Sequence, residues 1–478
     1  MKSDSGTFSQ NLQNAQTSQN AQTSQISQNL QTFSYLAFLE SKGAEYAPFD
    51  PTRARRIYDL LKPHITLPAR IIHLIGTNGK GSTGRFITLG LMQKGAKVLH
   101  FTSPHIFHFR ERFYKNYALE TPRAPNAPES KLESKSAQNE AQITRAKLES
   151  KTAPIHTTPT PAAPDSGAIT SDDELERAHR FLQKFDFIKE ASYFEYATFL
   201  ALVLAQGSEY FVCEAGLGGE YDSTSVLESD LSVFTPISYD HQEMLGERIE
   251  DIATTKLKAM GAHNLIAPQR FPEVMQIAQN IAKNTTQDAK QNLAKNRPAH
   301  LTFITPNDIE SAYKNDKNMR AYAKNMAHFL QENLVVATRA LAFFGVAVDF
   351  AHLARFDLPG RAQRIAPNIL LDVGHNVDGA RCILKIIGEK RIKLVYNAFF
   401  QKDVRNILSI LKPIISELLI IPVSHPRIMP KQELVSICEE LGIKHGEFSH
   451  IQDDSEYVVF GSFSVAETFL ENTKCKID

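Results

Sequence analysis

A glycine-rich turn joins an apolar strand to a helix early in the chain, and this junction limits the folds that the chain can adopt. The pattern predicts a strand over Ile71–Ile75, the turn Gly76-Thr-Asn-Gly-Lys-Gly-Ser82 and a helix over Thr83–Met92. Glycines let backbone N–H groups close around phosphate oxygens, and the N-terminus of the following helix favours negative charge. This order of elements is typical of an α/β fold that binds a phosphate group.

The turn departs from the common phosphate-loop pattern, because it is shorter and a glycine separates its lysine from its hydroxyl. Lys80 could reach the terminal phosphates of a nucleoside triphosphate, and Ser82 could hold the accompanying magnesium. The alternative is a plain strand-to-helix turn. The residues predicted to contact ATP here are Thr77, Asn78, Gly79, Lys80, Gly81 and Ser82.

Length, charge and cysteine spacing narrow the class of protein. A chain of 478 residues is too long for one ordinary core, which predicts two or three domains. Acidic and basic residues balance at 53 each, which gives no sign of a charged nucleic-acid or membrane surface. No apolar run approaches the roughly 18 residues that cross a bilayer. Four widely spaced cysteines without metal or redox spacing predict a reduced, cytoplasmic enzyme.

Composition divides the chain into two α/β units, a tail and an insertion. Residues 1–32 are low complexity, so we expect a disordered tail. Residues 33–355 alternate strands and helices, which predicts a P-loop-type ATP-binding domain with a mostly parallel sheet. Repeats of Lys-Leu-Glu-Ser-Lys and crowded prolines mark residues 118–172 as a disordered insertion. Residues 356–478 alternate again, which predicts a smaller, Rossmann-like α/β domain.

Hydrophobic periodicity places the main elements. Further strands are predicted at Lys97–Phe101, Tyr210–Glu214, Leu231–Ile237, Ile369–Asp372, Lys393–Tyr396, Leu418–Pro422 and Tyr457–Phe460. Further helices are predicted at Tyr35–Ser41, Pro51–Leu61, Asp173–Phe187, Tyr193–Ala205, Ile249–Met260, Pro272–Lys283 and Met326–Phe344, with a polar loop over 284–300.

Two predicted strands of the first unit end in side chains that suit a metal ion. Glu214 closes a buried strand, and a carboxylate at that end of a parallel strand faces the crevice where such sheets bind ligands. His241 follows another strand, and a neutral imidazole nitrogen can bind a metal. With Ser82, three strand ends carry possible ligands. The alternatives are a tight turn with an incidental acid and a histidine with structural hydrogen bonds.

Three other side chains stay open to two interpretations on spacing alone. Lys256 looks like a solvated helix lysine, and a cationic amine cannot ligate a metal. Arg361, at the expected domain junction, could clamp a phosphate with its planar guanidinium or lie at the surface. Asp372 ends the first strand of the second unit, where it could bind a ribose hydroxyl or cap a helix.

As a set, these motifs resemble one family, the bifunctional dihydrofolate synthase/folylpolyglutamate synthases, which are relatives of the Mur cell-wall ligases. The resemblance covers the chain from about Phe33 to its end, except residues 118–172. The motifs that carry it are Gly76-Thr-Asn-Gly-Lys-Gly-Ser82, Thr102-Ser-Pro-His105 with Glu111-Arg112, Tyr193-Phe-Glu-Tyr196, Glu214-Ala-Gly-Leu-Gly-Gly219 with Asp222, Asp240-His241 with Leu245-Gly246, Leu358-Pro-Gly-Arg361, Asp372-Val-Gly-His-Asn376 and Gly461-Ser462.

The resemblance implies roles for individual residues. Lys80, His241 and Lys256 would be catalytic, and two magnesium ions would be bound by Ser82, Glu214, His241 and Lys256. Lys256 would carry a carbamate, because carbon dioxide turns its amine into a carboxylate-like ligand. Contacts to ATP would also come from Asn333, Arg361 and Asp372. Substrate would lie near Ser103, Pro104, His105, Phe194, Glu195 and Asp222.

The implied activity is that of an acid–amino-acid ligase of the dihydrofolate synthase or tetrahydrofolate synthase type. The carboxylate of dihydropteroate or a reduced folate such as tetrahydrofolate attacks the γ-phosphate of ATP and forms an acyl phosphate. The amine of L-glutamate then displaces phosphate, which gives dihydrofolate or folylpolyglutamates. Closure of the two domains would exclude water from this intermediate. The family expectation is a monomer that binds neither nucleic acid nor membrane.

Several positions depart from the family pattern. Glu220 stands where an arginine is common, and Asp222-Ser-Thr-Ser225 replaces Asp-x-Thr-Asn. Phe49–Arg56 replaces a glycine-leucine segment that helps to bind pterin, and Gln401-Lys402-Asp403 replaces Asp-Lys-Asp. No expected metal or phosphate contact is lost, but several changes fall where folate specificity is set.

Two other functions fit the same loop. A cell-wall amino-acid ligase would use the same ATP site, although the glycine turn comes too early for a separate UDP-sugar domain. A nucleotide-binding regulatory module that had lost catalysis would not need the full set of candidate catalytic and metal-binding side chains.

Overall fold

The computed structural model describes residues 34–43, 49–119, 167–291 and 299–473, which form two α/β units. Its strands are β1 Arg70–Ile75, β2 Val98–Phe101, β3 Phe113–Lys115, β4 Ala168–Ile169, β5 Tyr210–Glu214, β6 Leu231–Phe234, β7 His263–Ile266, β8 His300–Phe303, β9 Gln363–Ala366, β10 Ile369–Leu371, β11 Ile392–Tyr396, β12 Ile415–Ile420, β13 His445–Glu447 and β14 Tyr457–Phe460. Its α-helices are α1 Tyr35–Glu40, α2 Arg53–Leu61, α3 Lys80–Met92, α4 Asp172–Leu182, α5 Tyr193–Leu204, α6 Gln242–Leu245, α7 Ile249–Leu257, α8 Pro272–Gln291, α9 Pro306–Asn315, α10 Lys317–Ala323, α11 His328–Phe343, α12 Val377–Ile387, α13 Val404–Leu411, α14 Lys431–Leu441 and α15 Phe463–Thr473.

The first sheet has eight strands in the order β4-β3-β2-β5-β1-β6-β7-β8. The strands from β2 to β8 in this order pair in parallel, whereas β3 pairs antiparallel with both β2 and β4. The central strand β1 is buried from Ile71 to Ile75, as expected for a parallel strand with both faces covered. Helix α3, which follows the glycine turn, packs against β1, β2, β5 and the long helix α11.

The second sheet has six strands in the order β13-β12-β11-β14-β10-β9. All its pairs are parallel except β9 with β10. A mostly parallel eight-stranded sheet followed by a smaller parallel sheet confirms the predicted fold class. The predicted boundary between residues 355 and 356 falls in the segment that joins α11 to β9, and the division at that residue stays a prediction.

Capping side chains fix where several helices begin. Ser192 accepts the backbone N–H of Glu195 before α5, and the Glu195 side chain accepts the N–H of Ser192 in return. Ser171 with Glu174 does the same for α4. These capping boxes satisfy N–H groups that have no partner within the helix.

The predicted insertion over 118–172 is wrong at both ends. Leu119 is buried and donates its N–H to Glu174 at 3.0 Å, so ordered chain continues past residue 118. On the other side, β4 at Ala168–Ile169 pairs with β3 before α4 begins. A two-residue edge strand is too short for a periodicity to reveal. The rest of the insertion lies outside the described residues, as does the predicted tail.

Other element predictions also need correction. The expected loop over 284–300 is wrong in its first part, because α8 continues to Gln291. Helix α2 begins at Arg53 rather than Pro51, because Asp50 accepts the N–H groups of Thr52 and Arg53 before the helix starts. Helices α9 and α10 were not predicted.

Among the helices of the described residues, none combines the length and the apolar character that a membrane-spanning segment requires.

Candidate active site

The glycine turn between β1 and α3 forms a loop in close contact with α11. Gly79 precedes α3 with a φ of +86°, which favours glycine. A side-chain carbon at Gly79 would lie 2.8 Å from Oδ1 of Asn333. Asn333 is buried, and its Nδ2 has no hydrogen-bond partner among the described residues. A buried amide without a partner suits a polar group of a bound ligand.

Two lysine side chains share one backbone carbonyl beside this loop. Nζ of Lys80 donates to the carbonyl oxygens of Gly76 at 3.1 Å and Thr77 at 3.3 Å. Nζ of Lys256 also donates to the carbonyl of Gly76, at 3.1 Å. Burial, assisted by the positive charge of Lys80, lowers the pKa of Lys256 to about 7. The neutral amine is the nucleophilic form, so this position suits a reaction of Lys256 with carbon dioxide.

The carboxylate of Glu214 lies at the same edge of the sheet as the loop. It accepts a hydrogen bond from Oγ1 of Thr102 at 2.5 Å. A side-chain carbon at Gly81 would lie 3.3 Å from Oε2 of Glu214. The hydroxyl oxygen of Ser82, the next residue, is buried without a partner in the described part of the chain. Loop, hydroxyl and carboxylate therefore line one buried polar space.

Arg361, in the second unit, is close enough to Glu214 for its positive charge to affect the pKa of that carboxylate. Burial raises the pKa of Glu214, while the charges of Lys80 and Arg361 act in the opposite direction. Burial lowers the pKa of Arg361, against the effect of Asp372 and Glu214. The guanidinium also lies 5.1 Å from the centre of the Phe463 ring. The positive charges of Lys80 and Arg361 both act on this carboxylate, and two cationic side chains from different units suit an anionic ligand.

Asp372 is buried after β10, and the backbone already orients both of its oxygens. Oδ2 accepts the N–H of Ala362 at 2.8 Å, and Oδ1 accepts the N–H of Gly374 at 2.7 Å. Asp372 therefore stabilises the loop after Arg361, a role that the sequence did not predict. Its contact with a ribose hydroxyl stays a prediction.

His241 lies at the start of α6 in a left-handed conformation with a φ of +53°. Its Nδ1 is 3.8 Å from Oε1 of Glu243, and burial lowers its pKa. Within residues 34–43, 49–119, 167–291 and 299–473, no three His, Cys, Asp or Glu side chains cluster closely enough to hold a metal. The structure thus assembles no conventional ligand set around His241.

The side chains beside the glycine turn include oxygen donors that suit a divalent cation. The hydroxyl of Ser82, unpaired within the described ranges, and the buried carboxylate of Glu214 are hard oxygen donors, which Mg²⁺ prefers. Magnesium sites commonly use only one or two protein ligands and take the rest from phosphates and water. These donors fit one cation, whereas a second cation depends on conversion of Lys256 into an oxygen donor.

A buried carboxylate joins the two units next to His241. Oδ1 of Asp240 accepts from Nζ of Lys402 at 2.5 Å, and Oδ2 lies 3.3 Å from Nε2 of His375. Nδ2 of Asn376 donates to Oδ1 of Asn78 in the glycine turn at 3.0 Å. Burial alone would raise the pKa of Asp240, but His375 and Lys402 hold it well below its usual range. The second unit therefore contacts the loop directly.

The predicted substrate residues lie around β2 and α5, and several already have structural partners. The Ser103–Pro104 peptide bond is cis, and the N–H of Ser103 donates to Glu214. Nδ1 of His105 accepts from Nε of Arg112 at 3.0 Å. Burial and the Arg112 charge lower the pKa of His105 to about 3. His105 is therefore a neutral acceptor at ordinary pH.

Of the other three candidates, Asp222 and Phe194 support the glycine segment after β5, whereas Glu195 holds the start of α5. Oδ2 of Asp222 accepts the N–H groups of Gly216 and Leu217 at 3.0 and 2.9 Å. A side-chain carbon at Gly216 would lie 2.4 Å from the ring of Phe194. The Glu195 carboxylate forms an ion pair with Arg53 at 2.6 Å in addition to its capping role. Their substrate roles stay predictions, while their structural roles are clear.

Sequence reasoning did not place Thr102, Asp240 or Lys402 in the site. Thr102 follows β2 directly, so the strand-end signal that singled out Glu214 was also present there. Asp240 was quoted only as the neighbour of His241, and Lys402 only as part of a departure from the family pattern. Their contact joins residues 162 positions apart, and the sequence carries no local sign of it.

No protein-family model matches the chain. It is similar to a crystal structure of Helicobacter pylori folylpolyglutamate synthetase, with 37% identity, coverage of 92% of this chain and 98% of that one, and a TM-score of 0.64. The dihydrofolate synthase/folylpolyglutamate synthase of Escherichia coli is 24% identical over 425 residues, 86% of this chain and 85% of that protein. A Yersinia pestis bifunctional folylpolyglutamate synthase/dihydrofolate synthase complexed with AMPPNP and manganese has the same fold, with 18% identity, coverage of 91% and 96%, and a TM-score of 0.64.

Proposed function

The chain belongs to the folylpolyglutamate synthetase family, and on that premise we propose that it ligates L-glutamate to dihydropteroate, to reduced folates or to both, at the expense of ATP. One observation carries this most directly. Lys80, the Ser82 hydroxyl, which has no hydrogen-bond partner among the described residues, and the Glu214 carboxylate lie at one edge of the first sheet, and the charge of Arg361 acts on that carboxylate.

The triphosphate of ATP would lie in the loop from Thr77 to Ser82, with Arg361 on its other side. Support comes from the glycine turn, from the unpartnered amide of Asn333 and from the Yersinia pestis relative, which binds an ATP analogue and manganese. Ser82 and Glu214 would hold one divalent cation. When bound, such a cation withdraws charge from the phosphoryl oxygens.

Lys256 would supply a ligand for a second cation after carbamylation, together with His241. Its buried amine, with a pKa lowered to about 7, favours reaction with carbon dioxide at neutral pH. Until then the amine donates to the carbonyl of Gly76 and keeps that turn in place.

The protein's own groups would serve ligation by holding charge and excluding water. Lys80 would neutralise the phosphoryl group while a substrate carboxylate is activated. The contacts of Asp240 with Lys402 and His375 would hold the second unit against the first, so that glutamate rather than water reaches the activated carbonyl. We infer a monomeric, cytoplasmic enzyme that binds neither nucleic acid nor membrane.

Product mass tests this function. The full chain is incubated with ATP, magnesium and L-glutamate, and with either dihydropteroate or tetrahydrofolate. We expect an acceptor heavier by one or more glutamyl residues, with ADP and phosphate released. Activity only with UDP-linked muramyl substrates would identify a cell-wall ligase instead. ATP binding without glutamate-dependent phosphate release would contradict a catalytic role.

A further inference from the structure

The segment before Arg361 lies along helix α3, which begins at the nucleotide loop. The ring of Phe356 packs on Phe86 with centroids 4.4 Å apart. The next residue, Asp357, accepts from Nη1 of Arg85 at 2.7 Å. Leu358 follows, and its Cδ2 lies 3.3 Å from the position of a side-chain carbon on Gly81. Three successive residues thus fix the path by which the chain leaves the first unit.

The ion pair at the centre of this contact is asymmetric. The Arg85 side chain is only 4% exposed, whereas that of Asp357 is 44% exposed. The Arg85 guanidinium lies 3.5 Å from the centre of the Tyr114 ring, which faces it but cannot neutralise it. Burial and the Arg85 charge also hold the pKa of His100 well below its usual range. A buried guanidinium needs a counter-charge, and Asp357 supplies it.

A short, constrained turn connects Asp357 to Arg361. Proline at position 359 fixes one backbone angle, and Gly360 has a φ of +69°. A side-chain carbon at Gly360 would lie 2.6 Å from Cγ1 of Val373, and the Gly360 carbonyl accepts the N–H of Val373 at 3.0 Å. Because this turn is constrained, a change in the position of Asp357 would also change the position of Arg361.

We propose that Arg85 and Asp357 are positioning residues for nucleotide binding: their ion pair sets the point from which the turn presents Arg361 to the loop. This inference rests on the proposed function, in which Arg361 contacts the phosphates. Neither Arg85 nor Asp357 is among the residues proposed to contact the nucleotide. A purely structural pair would change stability without acting through Arg361, and this difference can be measured.

The experiment is a double-mutant cycle read from nucleotide affinity. Binding of AMP-PNP with magnesium is measured by calorimetry for the full chain, Asp357→Asn, Arg361→Gln and the double variant, alongside thermal midpoints. We expect Asp357→Asn to weaken binding about fivefold in the wild type and less than about twofold beside Arg361→Gln. Asp357→Glu, which retains the charge, should recover most of the affinity.

The control is Asp349→Asn, the same change at an acid of the same connecting segment. Asp349 is 50% exposed and accepts from His352 and Ala351, which are its neighbours in sequence. The Asp349→Asn variant should bind AMP-PNP with the same affinity as the wild type. If Asp357→Asn does not fold, Arg85→Lys enters the cycle in its place, because lysine keeps the charge but not the planar fork.

Equal weakening in both backgrounds, or none in either, would overturn the proposal. Since the cycle is read from binding, it is separate from the test of the reaction. A wild-type chain that bound AMP-PNP but made no glutamyl product would contradict the proposed function and still give a decisive cycle.

Discussion

Lys402 of the second unit donates to Asp240 of the first at 2.5 Å, and both side chains are nearly buried, at 12% and 9% exposure. The acceptor stands directly before His241, and its other oxygen lies 3.3 Å from His375. One carboxylate of the first unit therefore contacts two loop side chains of the second unit, Lys402 and His375. Removal of a partner from a buried pair leaves an uncompensated charge, which is costly.

Lys402→Ala should lower kcat/KM about 10- to 100-fold, as expected when about 1.4 to 2.7 kcal/mol of coupling between the units is lost. Steady-state kinetics with saturating glutamate gives the number. Lys393→Ala is the matched control, because Lys393 pairs with Asp453 within the second unit at 2.6 Å. Similar losses in both variants would show that Lys402 acts only through the stability of its own unit.

Lys256→Ala should nearly abolish turnover while the fold is retained. The small side chain cannot form a carbamate, so the proposed second cation loses a ligand. Lys258→Ala, two residues further on, removes an exposed lysine paired with Glu220 at 2.9 Å and should remain active. Circular dichroism and a thermal melt check the fold. Near-normal turnover in Lys256→Ala would refute the carbamate role.

Gly79→Ala should weaken ATP binding far more than Gly95→Ala. Both glycines have a positive φ, of +86° and +77°, so both substitutions introduce backbone strain of about 1–2 kcal/mol. Only at Gly79 would the new carbon meet Asn333, at 2.8 Å, whereas nothing lies within 4 Å at Gly95. Titration with AMP-PNP measures the difference. Equal affinities would show that the approach of Asn333 to the loop does not matter for binding.

The sequence was sufficient for the fold class and for residues whose signal is local. The strand, glycine turn and helix follow from spacing, and Glu214 follows from its place at the end of a buried strand. Helix α9 was missed although Thr305, Pro306 and Asp308 spell a capping box with proline in the first turn.

Other features could not be predicted from local sequence patterns, because they depend on contacts between residues that are far apart in the chain. Asp240 contacts Lys402 across the two units, and Arg85 on helix α3 contacts Asp357 in the segment that follows α11, so both pairs depend on tertiary packing. Strand order is likewise set by packing, and the edge strand β4 is only two residues long. Lys256 looked like a solvated lysine from helical position, and its burial beside Gly76 emerges only in three dimensions.

The free energy of unfolding should fall as the pH falls below neutral, because His73 is buried in its neutral form. Burial lowers its pKa from 6.5 to about 4, and its Nε2 lies 2.8 Å from Oγ1 of Thr224. Between these values the unfolded chain binds a proton that the folded chain does not, so the free energy of unfolding falls as pH falls. From about pH 7.5 to about pH 5 this histidine should remove about 2 kcal/mol.

Urea unfolding at both pH values, compared between wild type and His73→Asn, isolates this contribution. Between the two pH values, the wild type should lose about 2 kcal/mol more of its free energy of unfolding than His73→Asn. His64→Asn, at an exposed histidine of the same unit, controls for removal of a histidine as such. An unchanged pH dependence in His73→Asn would show that another group is responsible.

A pair of deletions separates the repeated, proline-rich insertion from the ordered chain at its borders. Replacement of residues 120–166 by a short Gly-Ser linker should leave activity and thermal midpoint near those of the wild type. Such a linker has little distance to cover, because Lys115 and Ala168 are register partners in β3 and β4.

Replacement of residues 118–172 should instead destabilise the first unit, although its borders differ by only a few residues. It removes buried Leu119, the strand β4 and the Ser171 cap of α4. Loss of a buried leucine alone costs about 2–5 kcal/mol. It also removes Asp172, which accepts from the hydroxyl of Tyr35 at 2.5 Å. If the shorter deletion lost activity without unfolding, the insertion itself would contribute to function, and the longer deletion would then add only a stability defect to that loss.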